Sequence, residues 1–311
     1  MTIINKTRSE TMQPYEVLLF YQFNHIEDLP THKHYHETLA KTHHLKGRIY
    51  IAKEGLNGTV SGTPEDTKAY RDALHSTPLY ASMAFKINKS PIHAFNKLHV
   101  RIKDEIVNFS QDNIDPTTLT AKPLPAPEFY KAMQEKNTII IDARNHYEYE
   151  VGHFKGALNP NINHFRDLPK WIDDYKALLK GKKILTYCTG GIRCEKLTSY
   201  MKQNGLHNVY QLEGGIITYG QHEQTKGRSW DGALYVFDKR MTVPLNQGDP
   251  VVIGNDHFTN EPCERYINCA NPECNKKILC TKENEKIYKA SCSNTCRAHP
   301  KNRYVAKHAH L

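Results

Sequence analysis

The stretch Lys183–Gln203, KILTYCTGGIRCEKLTSYMKQ, decides the fold of the central part of the chain. Its first five residues form a short apolar run that favours a β-strand, and its second half has apolar residues at helical spacing. Between the two lies the loop CTGGIR, residues 188–193. The pattern predicts a buried strand, a glycine-containing loop and a helix that ends near Asn204 and Gly205.

This loop favours a reactive cysteine. Cys188 follows the predicted strand and precedes the helix N-terminus, where backbone N–H groups and the helix dipole favour an anion. Gly190 and Gly191 allow several amides to face one point, and Arg193 adds a fixed positive charge. We therefore expect a Cys188 thiolate with a lowered pKa. The alternative, a buried structural cysteine, leaves the two glycines and the arginine unexplained.

The loop resembles the active-site loop of the rhodanese superfamily, whose members carry sulfur as a cysteine persulfide. Upstream, residues 142–157 (DARNHYEYEVGHFKGA) are similar to another stretch of that superfamily, and downstream residues 209–216 (VYQLEGGI) are similar to its closing strand and glycine turn. The six-residue loop matches the sulfur-handling members, whereas phosphatase relatives have a longer loop. The resemblance implies the following site residues: Cys188, Arg193 and Asp142 for catalysis, and Thr189, Gly190, Gly191 and Ile192 as the anion cradle.

Three neighbouring residues keep two interpretations each. Asp142 and Arg144 either hold the loops by hydrogen bonds and charge or take part directly, with Arg144 touching the substrate. Cys194, six positions after Cys188, either resolves an oxidised Cys188 as a disulfide or is a small packing residue.

Composition limits the class of protein. The chain has 311 residues, a formal net charge of +9 and a pI of about 9.0, which favours an anionic partner such as nucleic acid, although it also suits general solubility. Neither a signal-peptide pattern nor an apolar run of membrane-spanning length is present, so we expect a cytoplasmic protein. The eight cysteines, six of them in the last fifty residues, fit free thiols better than a disulfide framework.

The N-terminal part, residues 1–122, shows the element order β-α-β-β-α-β, which predicts a ferredoxin-like α+β sandwich. Basic residues alternate near its end, and Lys86, Arg101 and Lys103 are candidates for binding phosphates; an ordinary solvated sheet face is the alternative. Three histidines, His32, His34 and His36, are interpreted as solvated, because their spacing does not place them on one helix face.

A second resemblance involves three stretches: residues 48–58 (RIYIAKEGLNG), residues 188–196 (CTGGIRCEK) and residues 230–240 (WDGALYVFDKR). Together they are similar to the bacterial tRNA uridine hydroxylases that carry a rhodanese domain, a resemblance that covers nearly the whole chain. It implies an enzyme that converts the wobble uridine of certain tRNAs to 5-hydroxyuridine, with molecular oxygen as co-substrate and the tRNA anticodon loop as partner.

The central part, residues 123–222, alternates strands and helices, which predicts a parallel α/β domain of rhodanese type. Residues 123–127 are interpreted as a proline-rich linker, and residues 128–136 as a helix. Asp142 and Cys188 each follow a predicted strand. Because ligands bind at the carboxyl ends of parallel strands, we expect both side chains to face one site.

The C-terminal part, residues 223–311, is basic and rich in cysteine. Four of its thiols, from Cys269, Cys274, Cys292 and Cys296, either bind a structural zinc ion or remain reduced; the C-x2-C spacing typical of zinc sites is missing. The segment is either a zinc-stabilised RNA-binding appendage or a flexible tail.

The chemistry stays open in several respects. No G-x-G-x-x-G motif for a flavin or a nicotinamide cofactor occurs. Cys188 either adds to C6 of uridine, which makes C5 nucleophilic, or itself carries oxygen or a persulfide. The competing functions are a sulfurtransferase with a Cys188 persulfide and a noncatalytic RNA-binding protein. The sequence leaves undetermined which tRNAs are modified, the electron source and the oligomeric state.

Overall fold

The computed structural model describes residues 14–309, which form two compact units, one ending at Val107 and the other beginning at Asn108. Within these residues, every helix is too short or too polar to cross a membrane. The three-part division at residues 122 and 222 remains a prediction.

The N-terminal unit is a five-stranded sheet covered by two helices. Its elements are β1 (Tyr15–Phe23), α1 (Leu29–Thr42), β2 (Lys46–Ala52), β3 (Gly55–Gly62), α2 (Pro64–His75), β4 (Phe85–Ser90) and β5 (Leu98–Ile102). The strand order is β4-β1-β3-β2-β5; β5 lies parallel to β2, and the other pairs are antiparallel. This confirms the ferredoxin-like sandwich and extends its sheet by one edge strand.

Local signals explain where α2 begins. Thr63 is its N-cap, and its hydroxyl oxygen accepts a hydrogen bond from the Asp66 amide at 3.2 Å. Pro64 occupies the first helical position, where its missing N–H is not needed. One face of the sheet buries Phe20 and Ile49 in the core beneath the helices.

His36 corrects the interpretation of the three histidines as solvated. Its side chain is completely buried and lies 3.5 Å from the Tyr70 hydroxyl, although His34 is exposed. Burial, together with the nearby His32, lowers the pKa of His36 to about 3, so this imidazole is neutral. Its helix position places it toward the core, which overrides the usual preference of histidine for water.

The second unit contains a four-stranded parallel sheet in the order β6-β10-β9-β7. Its elements are β6 (Lys122–Leu124), α3 (Ala126–Met133), β7 (Thr138–Asp142), α4 (His146–Val151), β8 (Gly152–Phe154), α5 (Leu168–Leu179), β9 (Lys183–Tyr187), α6 (Ile192–Gln203), β10 (Val209–Leu212) and α7 (Gly215–Gln221). The predicted parallel α/β fold is therefore confirmed.

The linker predicted over residues 123–127 is wrong in part. Residues 122–124 form β6, which pairs with β10 at the edge of the sheet. Pro123 is tolerated there because an edge strand leaves one row of N–H groups without a ladder partner.

Short elements follow in the same unit. They are β11 (Trp230–Gly232), β12 (Leu234–Tyr235), β13 (Thr242–Val243), β14 (Tyr266–Asn268), β15 (Lys277–Leu279), α8 (Lys282–Ile287), α9 (Asn294–Arg297) and α10 (Arg303–His308). β14 and β15 form an antiparallel hairpin, and β11 pairs with β8. The C-terminal segment is therefore ordered over these elements, and the flexible-tail alternative does not hold for them.

Candidate active site

Cys188 lies directly after β9 and just before α6, as the sequence predicts. Gly191 is the N-cap of α6 and has φ +104°, a conformation that favours glycine. The Gly191 amide donates to Cys188 Sγ at 3.1 Å. The thiol is fully buried, so the loop closes around the sulfur atom.

The surroundings of Cys188 stabilise its thiolate. Burial by itself would raise the pKa of this thiol. Donation from the Cys194 thiol, the charge of Arg193 and the amides of Cys194 and Gly191 outweigh it and lower the pKa to about 5. At neutral pH, Cys188 is therefore a thiolate, the form that acts as a nucleophile.

Glu148, on α4, holds Arg193 in place. The two side chains form a buried bidentate ion pair, with Nη1–Oε2 at 2.6 Å and Nη2–Oε1 at 2.8 Å. Arg193 also donates to Thr189 Oγ1 at 3.2 Å. Glu148 in turn accepts from the Asn145 amide in a capping box at the start of α4. The pair therefore ties α4 to the thiolate loop across 45 positions of sequence.

Asp142 and Arg144 form a second buried ion pair. Both oxygens of Asp142 accept from Arg144, which also donates to the Gly152 carbonyl. The Tyr187 hydroxyl donates to Asp142 at 2.7 Å. These contacts join the carboxyl ends of β7 and β9, where the site lies. Arg144 and Asp142 are both completely buried. Contact of Arg144 with the substrate stays a prediction.

Gly215 brings α7 against the loop. The two residues after Gly215 form hydrogen bonds to the backbone of the loop. The Ile216 amide donates to the Cys188 carbonyl at 3.0 Å, and the Ile217 amide donates to the Thr189 carbonyl at 3.2 Å. A Cβ atom at Gly215 would lie 2.6 Å from the Cys188 carbonyl oxygen, and its φ is +70°. Only glycine allows α7 to come this close to the loop. The glycine turn at residues 214–215 is the signal in the sequence that indicates this contact.

Cys194 lies in the first turn of α6, where its thiol donates to Cys188. Burial and the neighbouring Cys188 charge raise the pKa of Cys194 well above its ordinary value. The two sulfur atoms are thus a thiolate and a thiol in contact, and both are fully buried.

Phe237 is a residue that the sequence analysis did not single out. It is 44 % exposed, and its ring centroid lies 5.8 Å from Arg193 Cζ. The stretch at residues 230–240 contains it, but only the fold shows that it lies next to the loop.

Lys86, Arg101 and Lys103 belong to the other compact unit. Phe85 and Ile87, the neighbours of Lys86, pack into the core, so Lys86 points to the opposite sheet face. The same alternation places Arg101 on that face of β5. Lys86 lies over the Tyr21 ring at 4.9 Å and Lys103 over the Tyr50 ring at 5.9 Å. We call this surface the basic sheet face (Lys86, Arg101, Lys103).

A third group of residues lies in the C-terminal segment. We call it the thiol cluster, and its members are Cys269, Cys274, Cys292 and Cys296. Their sulfur atoms all lie within 4.8 Å of one another, so the cluster can hold a metal ion.

Comparison with known proteins covers all three parts of the chain. The UPF0176 acylphosphatase-like domain model matches residues 15–106, the rhodanese-like domain model residues 125–222 and the rhodanese C-terminal model residues 231–297. Proteins named tRNA uridine(34) hydroxylase are 53 % identical in Bacillus cytotoxicus and 54 % identical in Bacillus licheniformis. These alignments span 95 % and 94 % of this chain, and 92 % of each relative. The chain belongs to the tRNA uridine(34) hydroxylase family.

Among solved structures, a rhodanese-like domain from Anabaena is 19 % identical over 36 % of this chain and 80 % of its own, with a TM-score of 0.30. Membership of the tRNA uridine(34) hydroxylase family rests on the full-length relatives instead. It confirms the second resemblance drawn from the sequence. The rhodanese-like domain match, residues 125–222, contains the Cys188 loop and both buried ion pairs, whereas Phe237 lies in the rhodanese C-terminal match.

Proposed function

We propose that this protein hydroxylates uridine 34, the wobble uridine of tRNA, at C5, and that Cys188 is the reacting group. The observation that carries the proposal is the identity of 53–54 % along nearly the entire chain to proteins named for that activity. The Cys188 thiolate supplies a nucleophile, which the reaction needs because uracil C5 is not reactive toward oxygen without activation.

Molecular oxygen is the proposed co-substrate, and its use fixes the electron balance. One oxygen atom enters the C5–H bond, and the other becomes water after taking up two electrons and two protons. Conversion of the Cys188 thiolate and the Cys194 thiol to a disulfide releases two electrons and one proton, and the solvent supplies the second proton. We propose that this pair supplies the two electrons and that an external thiol then reduces the disulfide, which makes Cys194 the resolving residue.

Two routes at Cys188 remain alternatives. In the first, Sγ adds to C6 of uridine and C5 attacks the oxygen donor; in the second, the sulfur atom itself carries the oxygen. Loop amides and Arg193 stabilise the anionic sulfur in both. A tRNA containing 5-fluorouridine separates them, because only the first route forms a covalent tRNA–Cys188 adduct.

The remaining residues are proposed to bind the base or to position the Cys188 loop. Arg193 stabilises the thiolate directly, whereas Glu148 and Asp142 position the loop. Phe237 presents an exposed ring beside Arg193, and flipped bases stack on such rings. We propose that it stacks on the base; Phe237→Ala should then raise KM for tRNA more than Phe237→Tyr does.

The basic sheet face is proposed to bind phosphates of the anticodon stem or loop. With tRNA as its substrate, the protein is proposed to act in the cytoplasm.

The direct test is nucleoside mass spectrometry of bulk tRNA from cells that lack the gene, complemented with wild type, Cys188→Ser or Cys280→Ser. We expect 5-hydroxyuridine derivatives to return with wild type and with Cys280→Ser only. The competing sulfurtransferase predicts no such return, together with sulfur transfer from thiosulfate to cyanide by the purified protein.

A further inference from the structure

The thiol cluster has the dimensions of a metal site. Cys274 Sγ lies 3.6 Å from Cys292 Sγ, which lies 3.7 Å from Cys296 Sγ. A tetrahedral zinc ion with Zn–S bonds of about 2.3 Å places its sulfur atoms about 3.8 Å apart. A disulfide would need about 2.05 Å. The spacings therefore suit four thiolates around one ion.

Packing of reduced thiols explains this cluster less well. Cys274 is exposed, so burial of an apolar group does not account for its position. The other two cysteines of the segment differ: Cys263 and Cys280 are buried, and their thiols donate to the carbonyls of Arg265 and Thr281. The segment thus contains two packed thiols and a separate group of four.

The polar groups around the cluster suit a charged metal site. The Cys292 amide lies 3.5 Å from Cys269 Sγ, and the Asn271 side-chain amide donates to Cys296 Sγ at 3.4 Å. The Arg303 guanidinium donates to the Cys269 carbonyl. A zinc ion with four thiolates carries two negative charges, which such donors and a nearby cation offset.

The four thiols come from two parts of the segment. Cys269 follows β14 and Cys274 lies in the turn toward β15, whereas Cys292 precedes α9 and Cys296 lies within it. A bound ion would tie the hairpin turn to α9. Since strands of three residues are not stable alone, this link would provide much of their stability.

The hairpin also contacts the helix that serves the active site. The Tyr266 hydroxyl, on β14, donates to the Tyr147 carbonyl at 2.6 Å and to Glu150 at 3.2 Å. Lys277 Nζ, on β15, lies 4.5 Å from the centre of the Tyr147 ring. Both partners belong to α4, which carries Glu148.

From these contacts we propose that the thiol cluster binds one Zn²⁺ ion and that this ion holds the β14–β15 hairpin against α4, so that Glu148 keeps Arg193 beside Cys188. Zinc is the metal because a closed four-thiolate site with no open position is typical of structural zinc. The ion is structural and takes no part in the hydroxylation. The inference goes beyond the proposed function and does not depend on which substrate Cys188 attacks.

The metal is tested on the full chain by elemental analysis and by a zinc indicator after thiol modification. We expect about one zinc ion per chain, as for structural sites. Each of Cys269→Ser, Cys274→Ser, Cys292→Ser and Cys296→Ser should lose most of it, whereas Cys280→Ser retains it. Absence of zinc in wild type, iron in its place, or full zinc in the four variants would overturn the assignment.

The effect of the zinc ion on the position of Arg193 is measured by a quantity that a general loss of stability leaves unchanged. The ratio of iodoacetamide labelling rates of Cys188 at pH about 5 and pH about 8 reports its thiolate fraction, independently of access. We expect Cys274→Ser to lower this ratio severalfold.

Tyr266→Phe keeps the thiol cluster and removes only the hydroxyl that touches α4. It therefore tests the contact between the β14–β15 hairpin and α4 even where zinc-free variants unfold. We expect Tyr266→Phe to bind as much zinc per chain as wild type and to have a lower ratio of Cys188 labelling rates. Tyr304→Phe is the matched control, since Tyr304 lies in the same segment but stacks on His308. An unchanged ratio in Tyr266→Phe would contradict the positioning role.

Discussion

Glu148 and Arg193 lie 45 positions apart and form a buried bidentate ion pair within the site. Burial alone would raise the pKa of Glu148, but the adjacent Arg193 charge holds it below its ordinary value. The pair is therefore charged at neutral pH, and removal of either partner leaves an uncompensated buried charge.

Glu148→Gln tests this relationship. Loss of one partner of a buried pair costs roughly 3–5 kcal/mol of unfolding free energy. We expect a lower midpoint in urea unfolding and loss of hydroxylation, because Arg193 is no longer held. Glu128→Gln, which changes an exposed glutamate of the same unit, should leave both unchanged. A wild-type midpoint for Glu148→Gln would argue against the pair's structural role.

The pH dependence of Cys188 follows from its pKa of about 5. The thiolate is present above that pH and protonated below it, so the labelling rate should fall as pH drops through about 5. Arg193→Gln removes a charge that stabilises the thiolate, so the midpoint should move upward. Peptide mass spectrometry of Cys188 measures both; a wild-type midpoint near the value of an ordinary thiol would refute the thiolate.

Gly215→Ala tests the contact between α7 and the loop. The new Cβ would meet the Cys188 and Thr189 carbonyl oxygens at 2.6 and 2.7 Å. We expect displacement of the loop and loss of most activity. Gly181→Ala is a matched control: its φ is +77°, but nothing lies within 4 Å, so it should show only the backbone strain of about 1–2 kcal/mol. Equal activity in both variants would show that the close approach does not matter.

Several features of the fold and of the Cys188 site follow from local sequence. The strand, loop and helix around Cys188 were predictable because apolar periodicity, glycines and one arginine act over a few residues. The N-cap at Thr63 was predictable for the same reason. These signals depend on neighbours along the chain, and the fold leaves them unchanged.

Other features depend on contacts between distant residues. The sequence does not show which acidic residue pairs with Arg193. Only the fold shows that Phe237 lies next to Arg193. His36 and Pro123 were misjudged because tertiary position overrode their usual preferences. The sequence singled out the four cysteines of the thiol cluster, but without C-x2-C spacing it left a zinc site and reduced thiols as alternatives. The proximity of their sulfur atoms comes from the fold.

The basic sheet face is tested by tRNA binding at several salt concentrations. Arg101→Ala should weaken binding and reduce the slope of log affinity against log salt by about 1, as expected for one phosphate contact. Lys68→Ala is the control, because Lys68 lies on α2 and pairs with Asp72. Cys188 labelling should be normal in both. An unchanged slope for Arg101→Ala would mean that this face is merely solvated.

The measurement that bears most directly on the central claim is hydroxylation of unmodified tRNA by the purified protein under ¹⁸O₂. We expect 5-hydroxyuridine at position 34 with one ¹⁸O atom, dependence on an external thiol for repeated turnover, and no product with Cys188→Ser. Product from Cys188→Ser, or oxygen that comes from water instead, would contradict the claim.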